Sequence, residues 1–334
     1  MLIPAAGRPV GLIGGGCLES DLLERAAGVL RSGEARLAWY DTRSPDDIVW
    51  GTGAGCQGEV RVLLERLESP WPDYLRCLQQ RVAARLPTVV VTVYQATGAA
   101  APGQRLVAAP EGLHVRAIAD VDLERILIDD AQAALRERRS RVVARGDASG
   151  TSCEALVEYV APRLRLMVFG AGLDAIPLAG LGRQLGWEVT LLDHRPERLA
   201  ALADELEGTL RTVTYGRLAE AGLEIDSRTA VVVMTHHFLH DLEILRSVLD
   251  TSAPYVGVLG PRRRRAQLLQ QLGQSGLVID SGNAARLAGP AGLDIGAETP
   301  QEVALAIAAE IHAVLESRPG GFLRDRRGPL HDWP

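Results

Sequence analysis

One stretch constrains the fold more than any other: "RLRLMVFGAGLDAIPLAGLGRQLGWEVTLLDHRPE", residues 163–197. A buried strand at about 164–169 runs into a G-x-G-x-x-A turn at Gly170, Gly172 and Ala175. A helix follows, and a second strand ends on Asp193. Strand, glycines, helix and acid in that order are the opening crossover of a doubly wound parallel sheet. An acid about 20 positions beyond the glycines is placed to hold a ribose. Two details fit a dinucleotide poorly. Asp174 sets a carboxylate at the helix N-terminus where a pyrophosphate would sit, and Pro177 restricts the first turns.

Strands and helices go on alternating beyond this point. "TAVVVMTHHFLHDLEILRSVL" places His236, His237, His240 and Asp241 just past a strand at 229–234, on a loop and the first turn of a helix. His236 and His240 share a helix face if the helix begins early enough, a weak metal signal without a further ligand. Polar capping and proton relay suit them better. "PYVGVLGPRRRRAQLLQQL" then leads from a strand through Gly260 and Pro261 into Arg262, Arg263, Arg264 and Arg265 at a helix start. Arginine forks at the positive end of a helix make an anion site, most plausibly for phosphate, and at most two of the four point the same way.

The N-terminal half carries an internal repeat. Residues 7–41 lie over residues 112–146 without a gap, at a constant offset of 105. Gly7 meets Gly112, Val10 meets Val115, Ile13 meets Ile118, Leu18 and Glu19 meet Leu123 and Glu124, and Arg36 meets Arg141. Each copy reads as turn, short strand, amphipathic helix and second strand. The second copy is preceded by a strand and loop, "LPTVVVTVYQATGAAAPGQRLVAAP", for which the first has no counterpart. Met1 falls opposite Leu106. An edge strand of the first copy is thus expected to be missing, through a start codon set too far downstream or through loss, with fast hydrogen exchange over residues 1–15.

The copies differ most where the first has Gly14, Gly15, Gly16 and Cys17 and the second has Ala119, Asp120, Val121 and Asp122. Fold alone does not demand that loop. Glycines let backbone N–H groups approach an anion, and a helix N-terminus favours a thiolate. "GTGAGCQGEV" sets Cys56 in a second glycine loop. Cys77 and Cys153 have no such loops and read as structural. No CxxC pair occurs, so neither a zinc knuckle nor a disulfide framework is expected, and the four cysteines read as reduced thiols.

At 334 residues and 47% apolar, the chain is long enough for more than one folded domain. The net charge of -6 argues against general nucleic-acid binding. With no signal-like leader and no apolar run of membrane length, a cytoplasmic location is expected. The boundaries read as an N-terminal domain over 1–162, a parallel-sheet domain over 163–316 and a tail over 317–334.

"GLIGGGCLE", "FGAG", "VTLLDHRP", "VVVMTHH", "YVGVLGPRRRR", "GLDIGAETPQEVALAIAAEI" and "GPLHD" together resemble the XdhC/CoxI family, accessory factors that mature molybdenum hydroxylases such as xanthine dehydrogenase. The resemblance spans nearly the whole chain. It implies an α+β XdhC/CoxI domain followed by a Rossmann-like domain, and a role in binding molybdenum cofactor (molybdopterin), protecting it during sulfuration and delivering it to an apo-hydroxylase. The expected partners are a molybdenum hydroxylase large subunit, a cysteine desulfurase that supplies sulfur, and a second copy of the chain. Members usually carry a strand and loop before the position of Met1, and often a small residue where this chain has Pro261.

A pterin with a dithiolene-bound molybdenum at one end and a phosphate at the other needs soft groups and cationic donors. The molybdenum end is assigned to Cys17 and Cys56 in their glycine loops (Gly15 and Gly16), with the pterin in the cleft between domains. The phosphate end is assigned to Gly170–Gly172 or to Arg262 and Arg263, with Asp193, His236 and His237 as further contacts. The alternative is an NAD(P)-dependent oxidoreductase with His236 or His237 as proton donor. Last, Thr299, Pro300 and Glu302 predict a capping box opening a helix with a stripe of Val303, Ala306, Ile307 and Ile311, docked on the sheet.

Overall fold

The computed structural model describes residues 1–14, 18–41, 59–147, 150–203, 206 and 209–327. The chain divides into two compact units, Met1–Pro162 and Arg163–Leu330.

In the first unit, helix α1 (Glu19–Ser32) leads to a hairpin of β1 (Arg36–Asp41) and β2 (Glu59–Leu64). Helix α2 (Asp73–Ala83) precedes β3 (Thr88–Thr97), β4 (Arg105–Ala109) and β5 (Gly112–Arg116). Helix α3 (Val121–Glu137) is followed by β6 (Arg141–Gly146) and β7 (Ser152–Val160). The last five strands form an antiparallel sheet ordered β5-β4-β3-β7-β6. One face of α3 packs on it: Leu123, Leu127, Ala131 and Ala134 are fully buried against Val89, Val91 and Val93 of β3.

The repeat holds in three dimensions. β1 and β6 have bounds 105 residues apart. α1 and α3 both end in left-handed residues, Gly33 and Arg138, at the same offset. The buried stripe of the N-cap Leu18 with Leu22, Ala26 and Val29 of α1 stands where α3 has Leu123, Leu127, Ala131 and Ala134. The strand without a counterpart, β3, departs from the expectation of an edge. It is the middle of its sheet, because its β-branched residues alternate into the α3 core while both edges hydrogen-bond.

Among the described residues the second unit has six parallel strands: β8 (Arg165–Phe169), β9 (Glu188–Asp193), β10 (Thr209–Thr212), β11 (Thr229–Val233), β12 (Tyr255–Val258) and β13 (Leu287–Ala288). Their order is β10-β9-β8-β11-β12-β13. The connecting helices are α4 (Ala175–Gln184), α5 (Pro196–Ala201), α6 (Phe238–Val248), α7 (Arg262–Gln274) and α8 (Ser281–Arg286), followed after β13 by α9 (Pro300–Leu315). Alternate residues of β8 enter opposite cores, Leu166 and Val168 on the face covered by α4 and α9, Met167 and Phe169 on the face covered by α6 and α7. The chain reverses direction across the sheet between β8 and β11. In doubly wound sheets the region beyond the strands' carboxyl ends at such a switch point is where ligands bind.

The capping box on α9 is as the spacing predicts. Thr299 accepts from the Glu302 N–H at 3.3 Å, and Glu302 accepts from the Thr299 N–H at 2.9 Å. Ile307 and Ile311 are buried in the sheet core, Ala304 and Ala308 join them, and Val303 packs at its margin.

Candidate functional site at the switch point

The glycine turn after β8 is pressed against the loop after β11. Gly170 has φ +110°, and a Cβ there would lie 2.5 Å from the Met234 carbonyl oxygen. At Gly172 a Cβ would meet Asp174 Oδ1 at 2.4 Å. Gly170 is therefore required by its backbone approach to the neighbouring loop and its positive φ, whereas at Gly172 a Cβ would only have to displace the end of the Asp174 side chain.

Asp193 ends β9 with its carboxylate fully buried. Oδ2 accepts from the Ala171 N–H at 2.7 Å and from Arg195 Nη2 at 2.8 Å; Oδ1 accepts from the Arg195 N–H and Nε, each at 2.9 Å. Burial alone would raise its pKa, but the Arg195 guanidinium and the two backbone N–H groups outweigh burial and hold it at about 2. The acid thus ties the glycine turn to the end of β9. A ribose would have to displace bonds already made.

Between the loops after β8 and β11, His236 and Asp174 meet: Nε2 lies 2.7 Å from Oδ2. His236 has φ +57°, the left-handed region that a non-glycine residue occupies at a cost of about 1 kcal/mol. It stands outside α6, which begins at Phe238, so the shared helix face expected for His236 and His240 does not form. His237 is the N-cap instead, its ring Nδ1 accepting from the His240 N–H at 3.4 Å. The rings of His237 and His240 are 4.2 Å apart, and His194 and Tyr215 close the group at 4.7 and 5.2 Å from His240. Burial, then His237 and His194, lowers the His240 pKa. The Tyr215 hydroxyl is buried without a partner among the described residues, and burial raises its pKa. Among the described residues no group of three His, Cys, Asp or Glu side chains could hold a metal ion.

The four arginines separate into two pairs. Arg264 donates to the buried Asp241 through Nε (3.0 Å) and Nη2 (2.6 Å), and Asp241 in turn accepts from Thr235 just after β11. Arg265 turns to the carbonyls of Leu287 and Ala284, at 2.8 and 2.7 Å. Arg262 and Arg263 stay exposed at the start of α7. The Thr235–Asp241–Arg264 chain thus locks the arginine-bearing end of α7 to the loop after β11. Sequence reading missed this link and the Asp174–His236 pair. For the first, the available signal was an acid and a basic run at the starts of successive helices, Asp241 on α6 and Arg262–Arg265 on α7.

In the first unit, Gly15, Gly16, Cys17 and Cys56 lie outside the described residues. Beside them, the N–H groups of Ile13 and Gly14 donate to Glu19 Oε1 at 3.1 and 2.8 Å. Cys153 is buried in the α3 core, as a structural thiol would be. Cys77 is half-buried on α2 beside a cavity of about 770 Å³, along with Tyr74, Arg76 and Arg105. Burial raises both thiols. No helix among the described residues is long and apolar enough to cross a membrane.

Two models of one family account for more than half of the chain: the XdhC and CoxI family over residues 1–41, and the XdhC Rossmann domain over residues 166–311. The chain belongs to the XdhC/CoxI family. Among curated proteins, this XdhC chain is 29% identical over 313 residues to a probable xanthine dehydrogenase subunit of Bacillus subtilis (strain 168), spanning 93% of this chain and 86% of that one. It is 24% identical over 315 residues to the molybdenum cofactor insertion chaperone PaoD of Escherichia coli (strain K12), spanning 94% and 77%. A crystal structure of a xanthine dehydrogenase from Bacillus halodurans matches with a TM-score of 0.70 at 26% identity, covering 92% of this XdhC chain and 83% of that one.

Proposed function

We propose that this chain is a maturation factor that holds the molybdenum cofactor and delivers it to the apo large subunit of a molybdenum hydroxylase. In the same proposal the cofactor is protected while a cysteine desulfurase supplies sulfur, and the working unit is a homodimer. Family membership and the likeness to a cofactor insertion chaperone support the reading.

The observation that carries it against a dinucleotide enzyme is the state of Asp193. Its oxygens are spent on Ala171 and Arg195, so the group that would grip a ribose is committed to the fold. At the same end of the sheet Arg262 and Arg263 are exposed, and the His236 ring, paired with Asp174, is still more than half exposed; these groups suit the phosphate and polar edge of a pterin. When bound, the cofactor supplies the molybdenum and its sulfur ligand. The chain supplies binding and shielding: arginines for the phosphate, His236 and His237 for hydrogen bonds, and Cys17 and Cys56 as soft groups for the metal end.

Co-elution of molybdenum cofactor with the purified chain on gel filtration, followed by transfer to an apo-hydroxylase, tests the reading. Wild-type protein should retain and transfer the cofactor; R262A/R263A and C17A/C56A should each lose retention. If wild type retains none, the carrier reading fails; if all variants retain it fully, the site assignment fails. Tight, saturable binding of NADH or NADPH, with no cofactor retention, would instead favour the oxidoreductase suggested by the glycine turn.

A further inference from the structure

The two copies of the repeat meet in the first unit through residues at equivalent positions. Trp39 of β1 pairs with Arg61 of β2 as Ala144 of β6 pairs with Glu154 of β7, and Leu37 pairs with Leu63 as Val142 pairs with Leu156. Arg61 thus corresponds to Glu154, and Leu63 to Leu156. Arg61 Nη1 donates to Glu154 Oε2, and both leucines line one cavity of about 560 Å³. Thr92 and Tyr94 of β3 and Val142 of β6 supply more of its wall. Small-molecule pockets span roughly 300–1,000 Å³ and combine apolar walls with a few converging polar groups, which is the makeup found here.

The polar groups of this cavity are held in place by one another. Arg61 Nε donates to Glu59 Oε1 at 2.6 Å, the Tyr94 hydroxyl donates to Glu154 Oε2 at 2.9 Å, and the Arg61 guanidinium lies 5.6 Å from the Trp39 ring centre and 6.0 Å from that of Tyr94. Pairing and ring contacts fix the guanidinium. Two atoms keep spare capacity: Glu154 Oε1 and Arg61 Nη2 take no hydrogen bond among the described residues. Both side chains are 33% exposed, so a ligand can reach them. An open acceptor and an open donor therefore sit on one ion pair, against apolar walls.

The complement of that surface is a flat, uncharged ring whose edge carries an N–H beside a carbonyl. An anion is disfavoured because Glu59 and Glu154 both line the cavity, and a cation is disfavoured because Arg61 does. We propose that the cavity binds a planar bicyclic lactam, the base of a purine or of a pterin, with its ring N–H donating to Glu154 Oε1 and the adjacent carbonyl accepting from Arg61 Nη2. The ring faces lie against Leu63, Val142 and Leu156. An amino group beside the ring N–H, present in guanine and in pterins, gives the carboxylate a second donor. The site uses none of the groups assigned to the cofactor above and stands or falls apart from that assignment.

Equilibrium dialysis of the full chain with guanosine, with free pterin, and with the counterpart of each methylated on the ring N–H beside the carbonyl tests the site. At least one of the two unmodified bases should bind saturably, and the tighter one identifies the source as purine or pterin; equal binding supports the shared edge. Methylation blocks donation to Glu154 and should weaken binding by roughly tenfold or more. That comparison uses the wild-type chain, so it does not depend on how a variant folds. Glu154→Gln has one oxygen, which Arg61 and Tyr94 take, and it turns an N–H toward the ring N–H. It should weaken binding by roughly tenfold, as should Arg61→Met, which removes the donor to the carbonyl. No saturable binding of either base, methylated bases that bind as well as their parents, or wild-type affinity in both variants overturns the proposal.

Discussion

Replacing Asp193 by asparagine should destabilise the second unit by about 2–3 kcal/mol near neutral pH. The side chain is fully buried and takes four hydrogen bonds from Ala171 and Arg195. Asparagine keeps one acceptor oxygen but turns an N–H group toward either the buried Ala171 N–H or the Arg195 guanidinium. A buried donor left unmet costs about 1–3 kcal/mol, and a lost bond to a charged group about 1.5–3. Arg195 is partly exposed and recovers some of its loss by hydration, which keeps the sum near the lower end. A pKa held at about 2 against 3.8 for a free aspartate gives a similar magnitude, about 2 kcal/mol at 1.36 per unit. The sign is fixed by the direction of that shift. A depressed carboxylate contributes its full stability above pH 3.8 and loses it as pH falls toward about 2. Wild type and D193N should therefore differ by about 5–10 °C in Tm at pH 7, with the gap narrowing between about pH 4 and pH 3. Differential scanning calorimetry across that range is the assay. Equal melting at pH 7, or a gap that does not narrow in acid, would refute the account of Asp193 as an ionised tie between β9 and the glycine turn.

Thr299→Ala should cost about 1 kcal/mol through loss of the α9 cap while cofactor retention stays unchanged; a drop in retention without a drop in Tm would put the cap at the binding site. Arg264→Leu, which strands the buried Asp241 carboxylate, should cost about 3 kcal/mol in urea unfolding, whereas R262A/R263A should stay within about 0.5 kcal/mol of wild type. Gly170→Ala should cost at least about 2 kcal/mol, since a Cβ at φ +110° would run into the Met234 carbonyl; near-wild-type stability would show that the β11 loop gives way. His236→Gly should leave Tm unchanged or raise it, because relief of the left-handed strain offsets an exposed bond to Asp174, and a fall of more than about 1 kcal/mol would assign that bond to the fold.

What the sequence determined by itself is whatever is written in neighbouring residues. The β8–turn–α4–β9 run, the capping box of α9 and the 105-residue repeat were legible because periodicity, glycine placement and cap chemistry act over a few positions of chain. The absence of a glycine loop read Cys153 as structural, and it lies in the α3 core. The tertiary structure decided what those elements do with their polar groups. Asp193 looks like a ribose holder until Ala171, 22 residues earlier, is brought against it. Arg262–Arg265 read as one basic run, and only the arrival of Asp241 and of the carbonyls of Ala284 and Leu287 divides it into two structural and two open cations. His236 leaves its helix to meet Asp174, 62 residues away in sequence. β3 is central because both its edges find partners, which no pattern within the strand specifies. A side chain's hydrogen-bonding capacity is a property of its residue type, but which capacity is left over depends on the groups that packing delivers from elsewhere in the chain.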